Sequence, residues 1–294
     1  MSFHKRAVVQ AHGALAESVL VVGNRIYSGD RFGIVSVSSV DDGKTFWSRD
    51  LKESSQMGLQ AISALSLSSD GFILLAYRSD GVFFVLDAIA GAIKYSFKTN
   101  RQLYFRSCDF SPDGDTFACG DDGGDIYLGR LSYRGIERIG SHEWGIIKVR
   151  FSSEDFLYVA DPKGIKLWDI HLKQIIRSVY DPLNPSFEGI WVTSLGYSDD
   201  FNYALIASEN KLLIVEIASG GVLIGERDNI VSLWDVQTLK QISMVALVGF
   251  NWTIDILPVP AMNRVVLSAW KIDVFGGSQG FVPELSLWEY STQN

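Results

Sequence analysis

Apolar residues in this chain come in short runs, alternating or continuous, each closed by Gly, Asp, Asn or Ser, and no segment carries a sustained 3.6-residue stripe. The pattern predicts many short strands and few helices. The segment Phe151–Ile170 sets a template: an apolar strand ending in an aromatic, an acidic turn, a second strand, a tight turn, and a third strand ending Trp168-Asp169. Leu67–Asp87, Phe110–Leu128 and Asp228–Asp235 repeat all or part of it. Their Ser-Asp-Gly and Pro-Asp-Gly turns suit hairpins, because Gly tolerates positive φ and Asp bonds its local backbone.

Aligning on Trp168 places Ser38, Leu86, Gly129, Trp168, Val215, Trp234 and Trp288 in one column, at separations of 48, 43, 39, 47, 19 and 54 residues. The period of about 42 is that of four short antiparallel strands with their turns. A single four-stranded sheet cannot hide both faces, so repeats of this kind pack on their neighbours and close into a ring. The sequence resembles the WD-repeat β-propeller family, named for the dipeptide seen at Trp168-Asp169 and Trp234-Asp235. Leu86-Asp87 and Trp288-Glu289 are near matches, and Ser38-Ser39, Gly129-Arg130 and Val215-Glu216 depart from it.

The resemblance implies an all-β fold: one closed propeller of four-stranded antiparallel blades over residues 1–294. The approximate blades are 12–50, 58–98, 102–140, 142–180, 187–220, 221–247 and 250–290. The segment 5–11 supplies the missing outer strand of the last blade, so deleting residues 1–10 is expected to destabilise the whole ring. The resemblance also implies a hydrogen-bonded network within each blade. His142 and Trp168 match it best, and Asp80, Asp228 and Trp234 match in their own blades. Pro162 stands at the turn Asp position with Asp161 one residue early, and Phe32 and Gly123 break the match, leaving those blades to packing alone.

Two places break the period. Only 19 residues separate Val215 from Trp234, as if one outer and one inner strand were missing, which leaves seven blades with an imperfect pair or six with an insertion. In the last blade, Trp270–Glu284 is about 15 residues long where a turn of two to five would serve. With Gly276, Gly277 and Gly280 it reads as an exposed flexible insertion, either a binding loop or a loop folded on its own ring.

Composition narrows the function. With 26 Lys plus Arg against 34 Asp plus Glu, the net charge of −8 repels phosphate backbones and anionic lipid, so neither nucleic acid nor membrane is expected as a partner. Every apolar run is broken well before the roughly 18 residues of a spanning helix. The N-terminus lacks the apolar core of a secretion signal, so the chain reads as intracellular, cytoplasmic or nuclear, and the sequon Asn251-Trp252-Thr253 reads as coincidence. In that setting Cys108 and Cys119, on adjacent strands of one hairpin, are expected as buried small residues rather than a bond.

No nucleophile elbow, phosphate cradle, zincin motif or Cys-x-x-Cys occurs, and no cofactor or metal is expected. Asp121, Asp122 and Asp125 form an acidic knot without the ligand order of a calcium loop. Ser39–Phe46 resembles the Asp-box of sialidase-like propellers, which keeps a propeller hydrolase as an alternative; an Asp-Asp-Gly-Lys hairpin turn explains it equally.

Recognition remains. Tyr104, Trp144, Trp191 and Trp252 each stand five to seven residues before the end of a first strand, and Arg31, Arg78 and Arg227 sit in turns between second and third strands, all on one predicted face. Aromatics and arginines of this kind anchor protein interfaces; the alternative is that each ring plugs the edge of its own blade. The reading is a non-enzymatic scaffold or adaptor, monomeric as a ring within a hetero-complex, taking an acidic or apolar peptide or a helix of a partner protein. A permanently covered structural subunit is the third possibility. In the resembled family an Arg two residues after Trp-Asp marks docking to a cullin-ligase adaptor; His171 and Gln237 stand there instead.

Overall fold

The computed structural model describes residues 3–9, 11–53, 60–99, 103–180, 194–197, 203–208, 211–216, 222–226, 230–235, 240–246, 250–259, 264–275 and 278–290, with backbone alone for 3–7 and from 179 onward. Among these residues every regular element is a strand, and no helix is long and apolar enough to cross a membrane. After β1 (Phe3–Val8), a first sheet comprises β2 (Ala16–Val22), β3 (Arg25–Asp30), β4 (Ile34–Ser39) and β5 (Thr45–Asp50) in sequential order. The second has β6 (Ile62–Leu67), β7 (Ile73–Arg78), β8 (Val82–Asp87) and β9 (Ile93–Lys98). The third has β10 (Phe105–Phe110), β11 (Thr116–Asp121), β12 (Asp125–Arg130) and β13 (Gly135–Ser141). The fourth has β14 (Lys148–Phe151), β15 (Phe156–Asp161), β16 (Gly164–Asp169) and β17 (Gln174–Tyr180).

Four further strands, β18 (Ser194–Tyr197), β19 (Tyr203–Ser208), β20 (Lys211–Glu216) and β21 (Val222–Glu226), make a fifth sheet. β22 (Ile230–Asp235) and β23 (Lys240–Ala246) pair alone. The last sheet runs β1-β26-β25-β24, built from β24 (Phe250–Val259), β25 (Arg264–Phe275), β26 (Ser278–Tyr290) and the N-terminal strand. β1 thus supplies the outer strand, with Phe3 opposite Tyr290 and Val8 opposite Ser286. The chain divides into two compact units, residues 1–65 with 229–294, and residues 66–228.

The column aligned on Trp168 holds in the register. Ser38, Leu86, Gly129, Trp168, Val215 and Trp288 each lie opposite the second residue of a neighbouring strand: Ile26, Leu74, Phe117, Leu157, Ala204 and Val265. Two details differ from expectation. The fifth sheet keeps its outer strand, β21, and among the described residues β22 pairs only with β23, so the shortening between Val215 and Trp234 falls on that pair rather than on both neighbours. Trp270–Glu284 is no flexible insertion either: the β25–β26 pairing runs unbroken from Arg264 opposite Glu289 to Phe275 opposite Ser278. Apolar residues at Trp270, Ile272 and Val274 alternate with Lys271 and Asp273, a period that a hairpin uses and a loop does not.

Within residues 66–228, alternation along β10 explains how sheets pack. Phe105 and Phe110 join Tyr77, Phe83 and Phe117 in an edge-on aromatic seam with the second sheet, ring centroids 4.6 Å apart for Tyr77–Phe105 and 5.3 Å for Phe83–Phe117. On the other face Ser107 and Asp109 accept the backbone N–H groups of Val149 and Phe151 in β14, at 3.2 and 2.9 Å. Burial pushes the Asp109 carboxyl above its ordinary range despite the nearby Arg150. A core of Ile126, Ile139, Ile146, Val149, Phe151, Leu157, Val159 and Trp168 fills the third and fourth sheets. Gly120 admits it: a Cβ there would meet Ile146 Cγ2 at 2.2 Å.

Cys108 and Cys119 face each other across β10 and β11, with Cα atoms 4.2 Å apart, and they are bonded. This corrects the expectation of two free thiols. Cross-strand partners at a narrow antiparallel pair bring Cβ atoms within bonding reach, and a compartment-based expectation carries no information about register.

Candidate protein interaction surface

The turns between second and third strands are organised by the last residue of the second strand. Asp161 Oδ1 accepts the Lys163 N–H at 2.7 Å, and its Oδ2 lies 2.7 Å from His142 Nδ1. Trp168 Nε1 donates to His142 Nε2 at 3.0 Å, which leaves the imidazole proton on Nδ1, facing the carboxylate. All three side chains are buried. Burial raises the Asp161 pKa, but the His142 and Lys163 donors outweigh it and hold the carboxyl below its usual range.

In the first sheet Asp30 occupies the same place and accepts the N–H groups of Phe32 and Ile34, both at 2.8 Å. His12 Nε2 is 2.7 Å from Ser28 Oγ, while His12 Nδ1 sits 3.3 Å from Asp30 Oδ2 without a well-aligned hydrogen bond. That sheet therefore does not rely on packing alone: the deciding slot is the strand's last residue, two before Phe32. This Asp-His-Ser array has the composition of a hydrolytic triad, but Ser28 is fully buried and its hydroxyl also reaches the Ser36 carbonyl. No substrate carbonyl could approach it.

In the third sheet the slot is Asp121, whose Oδ1 accepts the Asp125 N–H at 2.7 Å. Burial first, then the like charges of Asp125 and Asp122, push its pKa up. The slot thus predicts opposite behaviour at two equivalent positions. Asp161 contributes stability above its unfolded value near pH 4 that is lost as pH falls through the depressed folded value. Asp121 loses stability as pH rises through the window from its unfolded to its raised folded value. Asp161→Asn should cost about 1.5–3 kcal/mol at pH 7 and flatten the acid limb, whereas Asp121→Asn, which keeps an oxygen for the Asp125 N–H, should be neutral or stabilising at pH 7. Urea melts at pH 4 and pH 7 check this; effects of the same sign would contradict it.

Each anchor expected from the sequence has a definite place. Arg31 is half-exposed, its Nε donating to Glu17 Oε1 at 2.6 Å. Arg78 departs from expectation: it is buried, grips Asp80 through Nε and Nη2 at 2.7 and 2.8 Å, and lies 5.0 Å over the Phe84 ring. It fills the slot that Asp161 fills elsewhere, so Asp80 serves it as counter-ion rather than meeting a histidine. Trp191, Arg227 and Asp228 lie outside the described residues. Trp252 stands opposite Trp270 and Trp234 opposite Gln241, in strands whose side chains lie outside the description.

The segments that carry Tyr104 and Trp144 meet the same turn, residues 121–124. The Asp122 N–H donates to the Tyr104 carbonyl at 3.1 Å, and Ile146 and His142 N–H groups donate to Asp121 and Gly124 carbonyls at 2.7 and 2.8 Å. Both entering segments are thereby fastened to one turn. Gly124 has φ +92 and a Cβ there would meet the His142 carbonyl at 2.5 Å and that of Trp144 at 2.8 Å, so only glycine fits. Tyr104 is 37% and Trp144 41% exposed, with Asp122 and Glu143 exposed beside them.

No protein-family model matches the sequence, and no match to it was found among curated proteins. Among the described residues no group of three or more His, Cys, Asp or Glu side chains is placed to hold a metal ion. The Ser39–Phe46 turn falls between β4 and β5, where Ser39 Oγ accepts the Asp41 N–H at 3.0 Å and Asp42 Oδ1 that of Lys44 at 3.1 Å. These bonds are internal to the turn. What sequence reasoning missed, the Asp30 and Asp121 slots, could have been found by aligning strand ends rather than turn centres.

Proposed function

We propose that the chain is a non-enzymatic adaptor of the WD-repeat type, in which the sheets close into a seven-bladed propeller and one set of turns binds partner proteins. The observation that carries this reading is the pairing of exposed rings with fixed backbone: Tyr104 and Trp144 flank a turn held by backbone hydrogen bonds of 2.7–3.1 Å. Rigid, exposed aromatics supply interface area at little entropic cost, which is what a scaffold needs and a self-contained fold does not. β1 as the outer strand of the last sheet supports closure, because pairing the two ends of the chain removes the free edges an open array would leave. The short β22–β23 pair is counted as the sixth blade.

The test is quantitative affinity purification from native extract with wild type and the Tyr104→Ala/Trp144→Ala double variant. Stoichiometric proteins retained by wild type and lost from the variant, with its melting temperature within a few degrees, are expected. Enrichment of nothing over background, or equal enrichment by both, would contradict the reading.

A further inference from the structure

The charge around the two rings points away from the acidic partner that the arginine positions first suggested. Arg78 is buried against Asp80, so it offers no charge to a partner. The turn to which the Tyr104 and Trp144 segments are fastened instead presents Asp122, and Glu143 precedes Trp144 in the chain; both are exposed. Contact is fixed through the backbone, since Asp122 donates its N–H to Tyr104 and the residue after Trp144, Gly145, packs so closely that a Cβ would meet the Asp122 carbonyl at 2.6 Å. An exposed acidic residue thus stands on the turn, a ledge to which the backbones of both aromatic-bearing segments are fastened. Trp144 already carries a cation: Lys163 Nζ sits 5.8 Å from its ring centroid.

We propose that Tyr104, Asp122 and Trp144 form a cation-recognition site that takes a lysine or arginine side chain from an extended segment of a partner protein. Aromatic faces attract a cation through their quadrupole, and the carboxylate supplies the opposite charge and a hydrogen-bond acceptor. Lys163 is the internal surrogate, displaced or joined by the partner's cation. The net charge of −8 steers a basic segment toward the chain and an acidic one away. This inference rests on the adaptor reading, but it can fail separately.

The experiment is fluorescence anisotropy on the full chain with a labelled twelve-residue Gly-Ser peptide carrying four lysines, and its counterpart carrying four glutamates. The lysine peptide should bind and the glutamate peptide should not. Tyr104→Ala and Trp144→Ala should each weaken binding about tenfold, Trp144→Phe and Asp122→Asn less, and Lys163→Ala should leave binding unchanged or tighter. Circular dichroism melts of each variant separate loss of the site from loss of the fold. Equal binding of both peptides, or affinity insensitive to all three ledge residues, would overturn the proposal. If affinity purification finds Trp144-dependent partners while the lysine peptide does not bind, the cation site is wrong and the adaptor reading stands. If the peptide binds through the ledge but no protein is captured, the adaptor reading fails and the cation site stands.

Discussion

Replacing His142 with alanine should lower the stability of the chain by about 3–5 kcal/mol, the largest effect expected of any single substitution at the turn slots. The imidazole is the acceptor for Trp168 Nε1 at 3.0 Å and the partner of Asp161 Oδ2 at 2.7 Å, and its side chain is fully buried. Removal leaves an indole N–H and a carboxylate oxygen without partners, together with a void where the ring stood. His12→Ala is the internal control. There the histidine contacts a serine hydroxyl at 2.7 Å but misses a well-formed bond to Asp30, and Ser38 stands where Trp168 stands in the fourth sheet. Its cost should be less than half as large. Urea titration of both variants checks the ordering; equal losses, or a loss below about 1 kcal/mol for His142→Ala, would mean that packing rather than the hydrogen-bonded network holds the fourth sheet.

Opening the Cys108–Cys119 bond should have the second largest effect. The bond spans a sequence separation of 11, for which restricting the unfolded chain is worth about 3 kcal/mol. It also fixes β10 against β11 at the point where Phe105 and Phe110 meet the second sheet and where Ser107 and Asp109 reach β14, so both seams depend on it. The Cys108→Ala/Cys119→Ala variant is expected to unfold at lower denaturant, with a slope equal to or slightly steeper than that of the bonded chain because its unfolded state is less restricted. Both cysteines are buried, so the folded protein should react slowly with dithiothreitol and rapidly once denatured. Thiol titration of protein purified without reductant should find no free thiols; two per chain would contradict the pairing.

Much of the architecture was legible in the sequence because strand and turn chemistry are local. The Trp168 column survives in the register of six sheets because a residue at that place always faces the start of the second strand, whatever side chain fills it. Position in the strand, not the Trp-Asp dipeptide, carries the signal. β1 was legible for the same reason, as a strand-like run before the first complete repeat.

The rest depended on partners distant in sequence. Whether Arg78 is an anchor or a buried ion pair is decided by Asp80 and Phe84, and nothing in an Arg-Ser-Asp-Gly turn says that the guanidinium folds inward. The Asp30 slot is hidden from a comparison of turn centres because it is the last residue of β3, two before Phe32. Gly276 and Gly277 drew Trp270–Glu284 toward a loop, although the alternation of Ile272 and Val274 with charged residues already marked a strand. Tyr104 and Trp144 are legible from their spacing, while Asp122 joins them only through backbone hydrogen bonds between segments distant in sequence.

Closure of the sheets into one ring is the central structural element of the proposed function. Small-angle X-ray scattering of the monomer tests it most directly. A closed ring of 294 residues should give a radius of gyration of about 19 Å and a single-peaked distance distribution. A radius above about 25 Å, or a distribution with a second maximum, would show an open or divided chain and contradict the account.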